Sequence, residues 1–180
     1  MEKRSAKAVV VMGVSGAGKT SIAANLAKRL GWIFVEGDRL HPQANIDKMA
    51  HGVPLTDDDR WPWLDAIGGE LAAAKARGES IVATCSSLKR SYRERLRTAS
   101  QGPLYFVFLD GSEALLSVRM GERKGHFMPA SLLHSQLATL ESPQGEEGVV
   151  TVDIDASIDL IVDSALTGLE NLWRAEENRL

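Results

Sequence analysis

Eight consecutive residues, Gly13-Val14-Ser15-Gly16-Ala17-Gly18-Lys19-Thr20, fit the spacing G-x-x-x-x-G-K-[ST], and each residue type in it has a physical task. The glycines let backbone N–H groups along Gly13, Ser15, Gly16, Ala17 and Gly18 turn toward phosphate oxygens with no Cβ in the way. Lys19 would neutralise charge on the β- and γ-phosphates, and the Thr20 hydroxyl would ligate Mg²⁺. A new helix begins there, with Ser21 in its first turn, and its unsatisfied N–H groups and positive dipole end favour an anion. The run predicts a site for ATP with Mg²⁺. The alternative is a glycine-rich turn that binds nothing.

The elements around the loop decide between the two. Ala8-Val9-Val10-Val11-Met12 is a short apolar, β-branched run that reads as a buried parallel strand. Beyond the loop, Ile22, Leu26 and Leu30 recur at helical spacing until Gly31 closes the helix. Strand, glycine loop and helix together form the context that phosphate binding requires. Further on, Trp32–Val35, Ile81–Cys85, Leu104–Leu109 and Val149–Val152 read as four more strands, separated by helical patterns. That alternation predicts an α/β fold: a three-layer sandwich with a five-stranded parallel sheet flanked by helices. Thr56 is a candidate N-cap, with Asp57, Asp58 and Asp59 suited to the helix start or, alternatively, to holding Mg²⁺-bound water. A basic helix is expected from about Lys89 to Thr98, and an amphipathic closing helix from Ile158 to Trp173. Gly121–Pro129 is basic, has glycines on both sides and reads as a mobile flap. No repeat or linker divides the chain, so residues 1–180 read as one domain with a lid over about 120–140.

Bulk properties set the outer limits. Of 180 residues, 44% are hydrophobic and 25% charged, as in an ordinary soluble domain. A net charge of −3 argues against a general nucleic-acid binder, although phosphate binding needs only a local positive cluster. One cysteine excludes an intrachain disulfide and agrees with a reducing cytoplasm. Lys3, Arg4 and Lys7 ahead of Ala8–Met12 faintly mimic a signal peptide, but the apolar run is short and feeds the phosphate loop. No stretch approaches transmembrane length. The expectation is a cytoplasmic protein without membrane or nucleic-acid partners.

Several chemistries share such a loop. No N-K-x-D guanine signature occurs, and Asp65-Ala66-Ile67-Gly68, which matches D-x-x-G, falls within a helical pattern. In open parallel sheets, ligands bind beyond the carboxyl ends of the strands. Asp38 and His41 follow the second strand there, and Ser86, Ser87 and Lys89 follow the third. With the basic flap these could surround a small polar acceptor, which favours phosphoryl transfer to a small molecule over a hydrolytic switch. A nucleotide-binding module without transfer activity is the competing class. Four scattered histidines lack zinc-site spacing, and His51 and His134 read as surface or interface residues. Trp61 and Trp63 read as packing groups. Cys85 reads as a small core residue.

The segments Val35-Glu36-Gly37-Asp38, Leu40-His41-Pro42, Asn45-Ile46-Asp47-Lys48-Met49, Pro54–Arg60, Cys85–Arg93 and Arg123-Lys124-Gly125-His126-Phe127-Met128, with Gln136, resemble the gluconokinase family. The likeness runs from the phosphate loop to about Leu140, and the order of the motifs is more specific than any one of them. Ser87 departs from it, standing where alanine is common. The resemblance implies ATP- and Mg²⁺-dependent phosphorylation of D-gluconate at its 6-hydroxyl, a nucleoside-monophosphate-kinase-like fold with a small lid, and a homodimer. It places Asp38 beside the attacking hydroxyl, to orient it or accept its proton; a turn-forming aspartate is the plainer reading. Arg60 is either a bidentate carboxylate clamp or a partner of the aspartates on its own helix. Lys89 and Arg93 at i,i+4 either reach an anionic substrate together or belong to a solvated basic helix. Ser86 and Ser87 either bond sugar hydroxyls or cap that helix. Arg119 and Arg123 are candidates for nucleotide phosphates, with a charged loop as the alternative. His126 contacts substrate or steadies the flap, and Gln136 is expected among the substrate contacts. Another carboxylated polyol, such as a shikimate-like acid, would fit the same charges. Adenine is expected near Asp153–Ser157.

Overall fold

The computed structural model describes residues 5–122 and 130–180. Five parallel strands form one sheet in the order β2-β3-β1-β4-β5: β1 Ala8–Met12, β2 Ile33–Val35, β3 Ile81–Thr84, β4 Tyr105–Asp110 and β5 Val149–Asp153. The expected bounds differ from these by a residue or so. Central β1 pairs with β3, Ala8 opposite Ile81, and with β4, Val9 opposite Tyr105. All five of its residues are wholly buried, because helices cover both faces of the sheet.

Side chains alternate between those faces. Val9 and Val11 pack with helix α1 (Lys19–Leu30) and helix α7 (Ile158–Glu177). Ala8, Val10 and Met12 pack on the opposite face with Leu64, Ile67 and Leu71 of helix α3 (Asp57–Ala76) and Leu96 of helix α4 (Arg90–Ala99). Helices α3 and α4 approach closely because α3 carries Gly68, where a Cβ would lie 2.3 Å from that of Ala99. A short helix, α2 (Gln43–Ala50), follows a 3₁₀ turn at Gly37–Leu40, and helices α5 (Glu113–Glu122) and α6 (Ala130–Thr139) border the undescribed segment 123–129.

Helix α3 begins as its sequence predicts. The Thr56 hydroxyl accepts from Asp59 N–H, and the Asp59 carboxylate accepts from Thr56 N–H, a reciprocal capping box. Lys48 also bonds that carboxylate at 2.7 Å, the largest of several effects that pull its pKa down to about 2. Asp59 is therefore a helix-start residue tied to α2. The closing helix runs to Glu177, a turn past its expected end at Trp173; Ser157 caps its start, and Ile161, Val162, Ala165 and Leu169 form its buried stripe. Among the described residues no helix is long and apolar enough to cross a membrane.

Candidate active site

The loop between β1 and α1 has the backbone its glycines permit: φ is +83° at Gly16 and +91° at Gly18. Gly18 precedes the first turn of α1 with no side chain capping it, so the leading N–H groups of the helix face the loop's hollow. Lys19 folds back over the loop, its Nζ donating to the carbonyls of Gly13 and Val14 at 3.0 Å each. Gly13 N–H donates to the Ser86 carbonyl at 3.3 Å, joining the loop to the end of β3.

A carboxylate that sequence reasoning passed over stands beside Thr20. Glu36, at the end of β2, accepts from the Thr20 hydroxyl at 2.6 Å and from the Thr84 hydroxyl at 2.5 Å. Thr84 Oγ1 in turn accepts from Gly37 N–H at 3.0 Å. Gly37 runs so close to β3 that a Cβ there would stand 1.9 Å from the Thr84 carbonyl oxygen. The Glu36-Gly37-Asp38 run is thus fixed by its middle residue, which also accepts from Trp63 Nε1 at 2.8 Å. The signal in the sequence for Glu36 is a carboxylate at a strand's carboxyl end, the same signal that points to its near neighbour Asp38.

Asp38 is exposed on the 3₁₀ turn. His41 stacks on Trp63 with ring centroids 4.1 Å apart, and its Nδ1 accepts from the Asn45 amide at 3.2 Å, which leaves the proton on Nε2. Burial pushes the His41 pKa down, Asp38 opposes this and Arg60 adds to it, so these three charges sense one another. Burial likewise raises the Cys85 thiol to about 11, which leaves it an inert core residue that nonetheless feels Lys19 and Asp38. The Thr20–Glu36, Trp63–Gly37 and His41–Trp63 contacts bring the phosphate side and the acceptor side to the same end of the sheet.

Arg60 pairs within the protein, as the second of its sequence readings expects. Its Nη1 donates to Leu55 O at 2.7 Å and to the Tyr92 hydroxyl at 3.2 Å, and lies 3.9 Å from Asp57 on the same helix. Lys89 approaches Asp57 from the other side, at 3.2 Å. Arg93 departs from expectation. Lys89 is the extended residue ahead of α4, not part of it, so helical spacing does not bring the two side chains together. Arg93 is fully buried and binds Glu146 at 2.6 Å, the carbonyls of Ser87 and Leu88, and Glu141 O. Removing one partner from such a buried pair typically costs about 3–5 kcal/mol, so Arg93 anchors the loop around Glu146 to the β3–α4 turn. Arg97 joins the same carboxylate at 3.0 Å, whereas Arg95 pairs with Asp65 at the surface, as a solvated helix face would.

Ser87 also departs. It is buried, its φ is +51°, and its hydroxyl donates to Cys85 O at 3.3 Å. Ser86 remains partly open beside the loop. Gln136 sits on the phosphate loop: its Oε1 accepts from Ser15 N–H at 2.7 Å and its Nε2 donates to Ser15 Oγ at 3.1 Å. Arg119 donates to the carbonyls of Ile154 and Ala156, the stretch expected near adenine. Arg123 and His126 lie outside the described residues.

A phosphate loop, a strand-end carboxylate at its Thr and a cationic pair across the sheet's carboxyl edge define a P-loop phosphotransferase of small-molecule type. The family model described as "AAA domain" matches residues 9–143. A gluconokinase of Gluconobacter oxydans is 52% identical over 158 residues, 88% of each chain. The thermosensitive gluconokinase of Escherichia coli is 45% identical over 150 residues, 83% of this chain and 80% of that one. The crystal structure of a gluconokinase from Sinorhizobium meliloti superposes with a TM-score of 0.89 at 52% identity, covering 98% of both chains. The chain belongs to the AAA domain family and, within it, to the gluconokinases.

Proposed function

We propose that this enzyme transfers the γ-phosphoryl group of ATP to the 6-hydroxyl of D-gluconate, giving 6-phospho-D-gluconate and ADP. The observation that carries the reading is geometric: Glu36 joins Thr20 of the loop to the turn that bears Asp38, and Trp63, one turn of α3 beyond Arg60, bonds Gly37 and stacks on His41, in a chain of this family. The loop N–H groups, Lys19 and the α1 N-terminus receive the phosphates. Arg60 and Lys89 hold the gluconate carboxylate, while His41 and Ser86 line the polyol. Asp38 orients the 6-hydroxyl and takes up its proton as the P–O bond forms; with a loose transition state, orientation is the larger part of its task.

Mg²⁺ fits the residues present. The Thr20 hydroxyl and Glu36 carboxylate are adjacent hard oxygen donors, and a Mg²⁺ ion needs few protein ligands where phosphates and water complete its shell. When bound it supplies charge neutralisation on the β- and γ-phosphates. Gln136 moves its amide aside as a phosphate oxygen takes the Ser15 N–H. Arg119 and Arg123, at i,i+4 beside the basic flap segment, are assigned to the nucleotide phosphates, with Arg123 on the transferring group, and His126 to the acceptor or to the flap. A single domain over 1–180, a lid over about 120–140 and a cytoplasmic site of action follow from the chain's own pattern and composition, and the homodimer from the resemblance.

The test is ADP release by the purified protein with Mg-ATP and D-gluconate, beside shikimate, D-glucose and no acceptor. Turnover with gluconate alone is expected. Equal ADP release without acceptor would replace the kinase reading with a hydrolase, and turnover with shikimate would move the assignment to another acid.

A further inference from the structure

The two acceptor-side cations share an internal counter-charge. Lys89 Nζ lies 3.2 Å and 3.4 Å from the two Asp57 carboxylate oxygens, and Arg60 Nη1 lies 3.9 Å from one of them. The Tyr92 hydroxyl donates to Asp57 and accepts from Arg60, and both cations sit over the Tyr92 ring, 5.4 Å and 5.6 Å from its centroid. Asp57 is not needed as the helix cap, because Thr56 and Asp59 already form the capping box. Side-chain exposures of 28% for Arg60, 35% for Lys89 and 44% for Asp57 keep all three charges within reach of a ligand. The Tyr92 hydrogen bond, ahead of Lys89 and Arg60, holds the Asp57 carboxyl below its ordinary range, so it is ionised at neutral pH.

We propose that Asp57 is a specificity-determining residue for the phosphoryl acceptor. Its carboxylate holds the Arg60–Lys89 pair at one net positive charge, which keeps a preference for a polyol ending in an anion over one that is neutral there while cutting back the advantage that two uncompensated cations would give a dianion over a monoanion. The inference rests on the reading of Arg60 and Lys89 as the carboxylate clamp. Adding a unit charge to the cluster changes the interaction with a dianion by twice as much as with a monoanion. Charge, more than contact shape, then sets the ranking.

The experiment is calorimetric binding of three six-carbon polyols that share a free 6-hydroxyl: D-glucitol, D-gluconate and D-glucitol 1-phosphate, which carry no charge, one and two at C1. For Asp57→Asn, which keeps an acceptor oxygen for Tyr92 and Lys89, D-glucitol 1-phosphate should gain about tenfold relative to gluconate. Lys89→Met, at zero net charge, should bring gluconate to within about threefold of D-glucitol. The double variant should return to the wild-type ranking, which a merely structural role for Asp57 would not produce. An unchanged dianion-to-monoanion ratio in Asp57→Asn, equal losses for all three ligands, or a gluconate preference that survives Lys89→Met would overturn the proposal. Wild-type protein that binds D-gluconate no better than D-glucitol would sink the clamp reading itself, a different failure.

Discussion

On the phosphate side of the site, one unbroken run from Gly13 to Thr20 supplies the loop, the cation and the hydroxyl. On the acceptor side, Asp57 and Arg60 come from α3, Lys89 from the turn before α4 and Tyr92 from α4 itself, and they bond to one another. The phosphate side works through backbone N–H groups, whose direction is set by φ and ψ and hence by glycine positions. The acceptor side works through side chains, whose direction is set by whatever packs against them. A backbone site is therefore robust to neighbouring substitutions, while a side-chain site is tuned by them. Glu36 ties the phosphate loop to the end of β3, with one carboxylate oxygen toward Thr20 and the other toward Thr84.

The largest effect should come from breaking the phosphate side at its one indispensable side chain. Lys19→Ala leaves the loop backbone in place, so the protein should fold with a near-normal melting profile and lose kcat by on the order of 10³-fold. Activity close to wild type would remove the loop from the chemistry. A middle-sized effect should mark the acceptor side. Arg60→Lys keeps the charge but loses the planar fork, and should raise the KM for D-gluconate about tenfold while moving the KM for ATP far less. Equal changes in both constants would show that the two sides are not separable as drawn.

The smallest effect lies where Lys48 of α2 is tied to the start of α3. The Asp59 carboxyl is held at about 2 against an ordinary 3.8, so the stability it contributes is present above pH 3.8 and is lost as pH falls through about 2. Asp59→Asn should flatten the pH dependence of the melting temperature in that window and leave the curve at neutral pH little changed in slope. An unaltered acid limb would mean that the Lys48 and Thr56 bonds are too screened at the surface to matter.

Legibility followed the same division. The strand pattern, the glycine loop, the Thr56 cap and the buried Cys85 could be read directly, because each depends on local spacing or on apolar periodicity. Arg93 could not. Its i,i+4 relation to Lys89 is a statement about a helix that had not yet begun at Lys89, and its burial depends on Glu146, 53 residues away. Gln136 was expected at the acceptor and lies on Ser15, 121 residues away, because the approach of α6 to the phosphate loop leaves no local signal. Glu36 needed the close passage of Gly37 along β3 to become a partner of both threonines.

The sequence by itself determined the sheet, the phosphate loop and the family, since hydrophobic period, glycine placement and motif order are properties of neighbours along the chain. Only the tertiary structure decided which charges share a carboxylate. Asp57 with Arg60 and Lys89, and Glu146 with Arg93 and Arg97, are matched by distance in space, and ion pairing depends on that distance and on burial, neither of which spacing along the chain records.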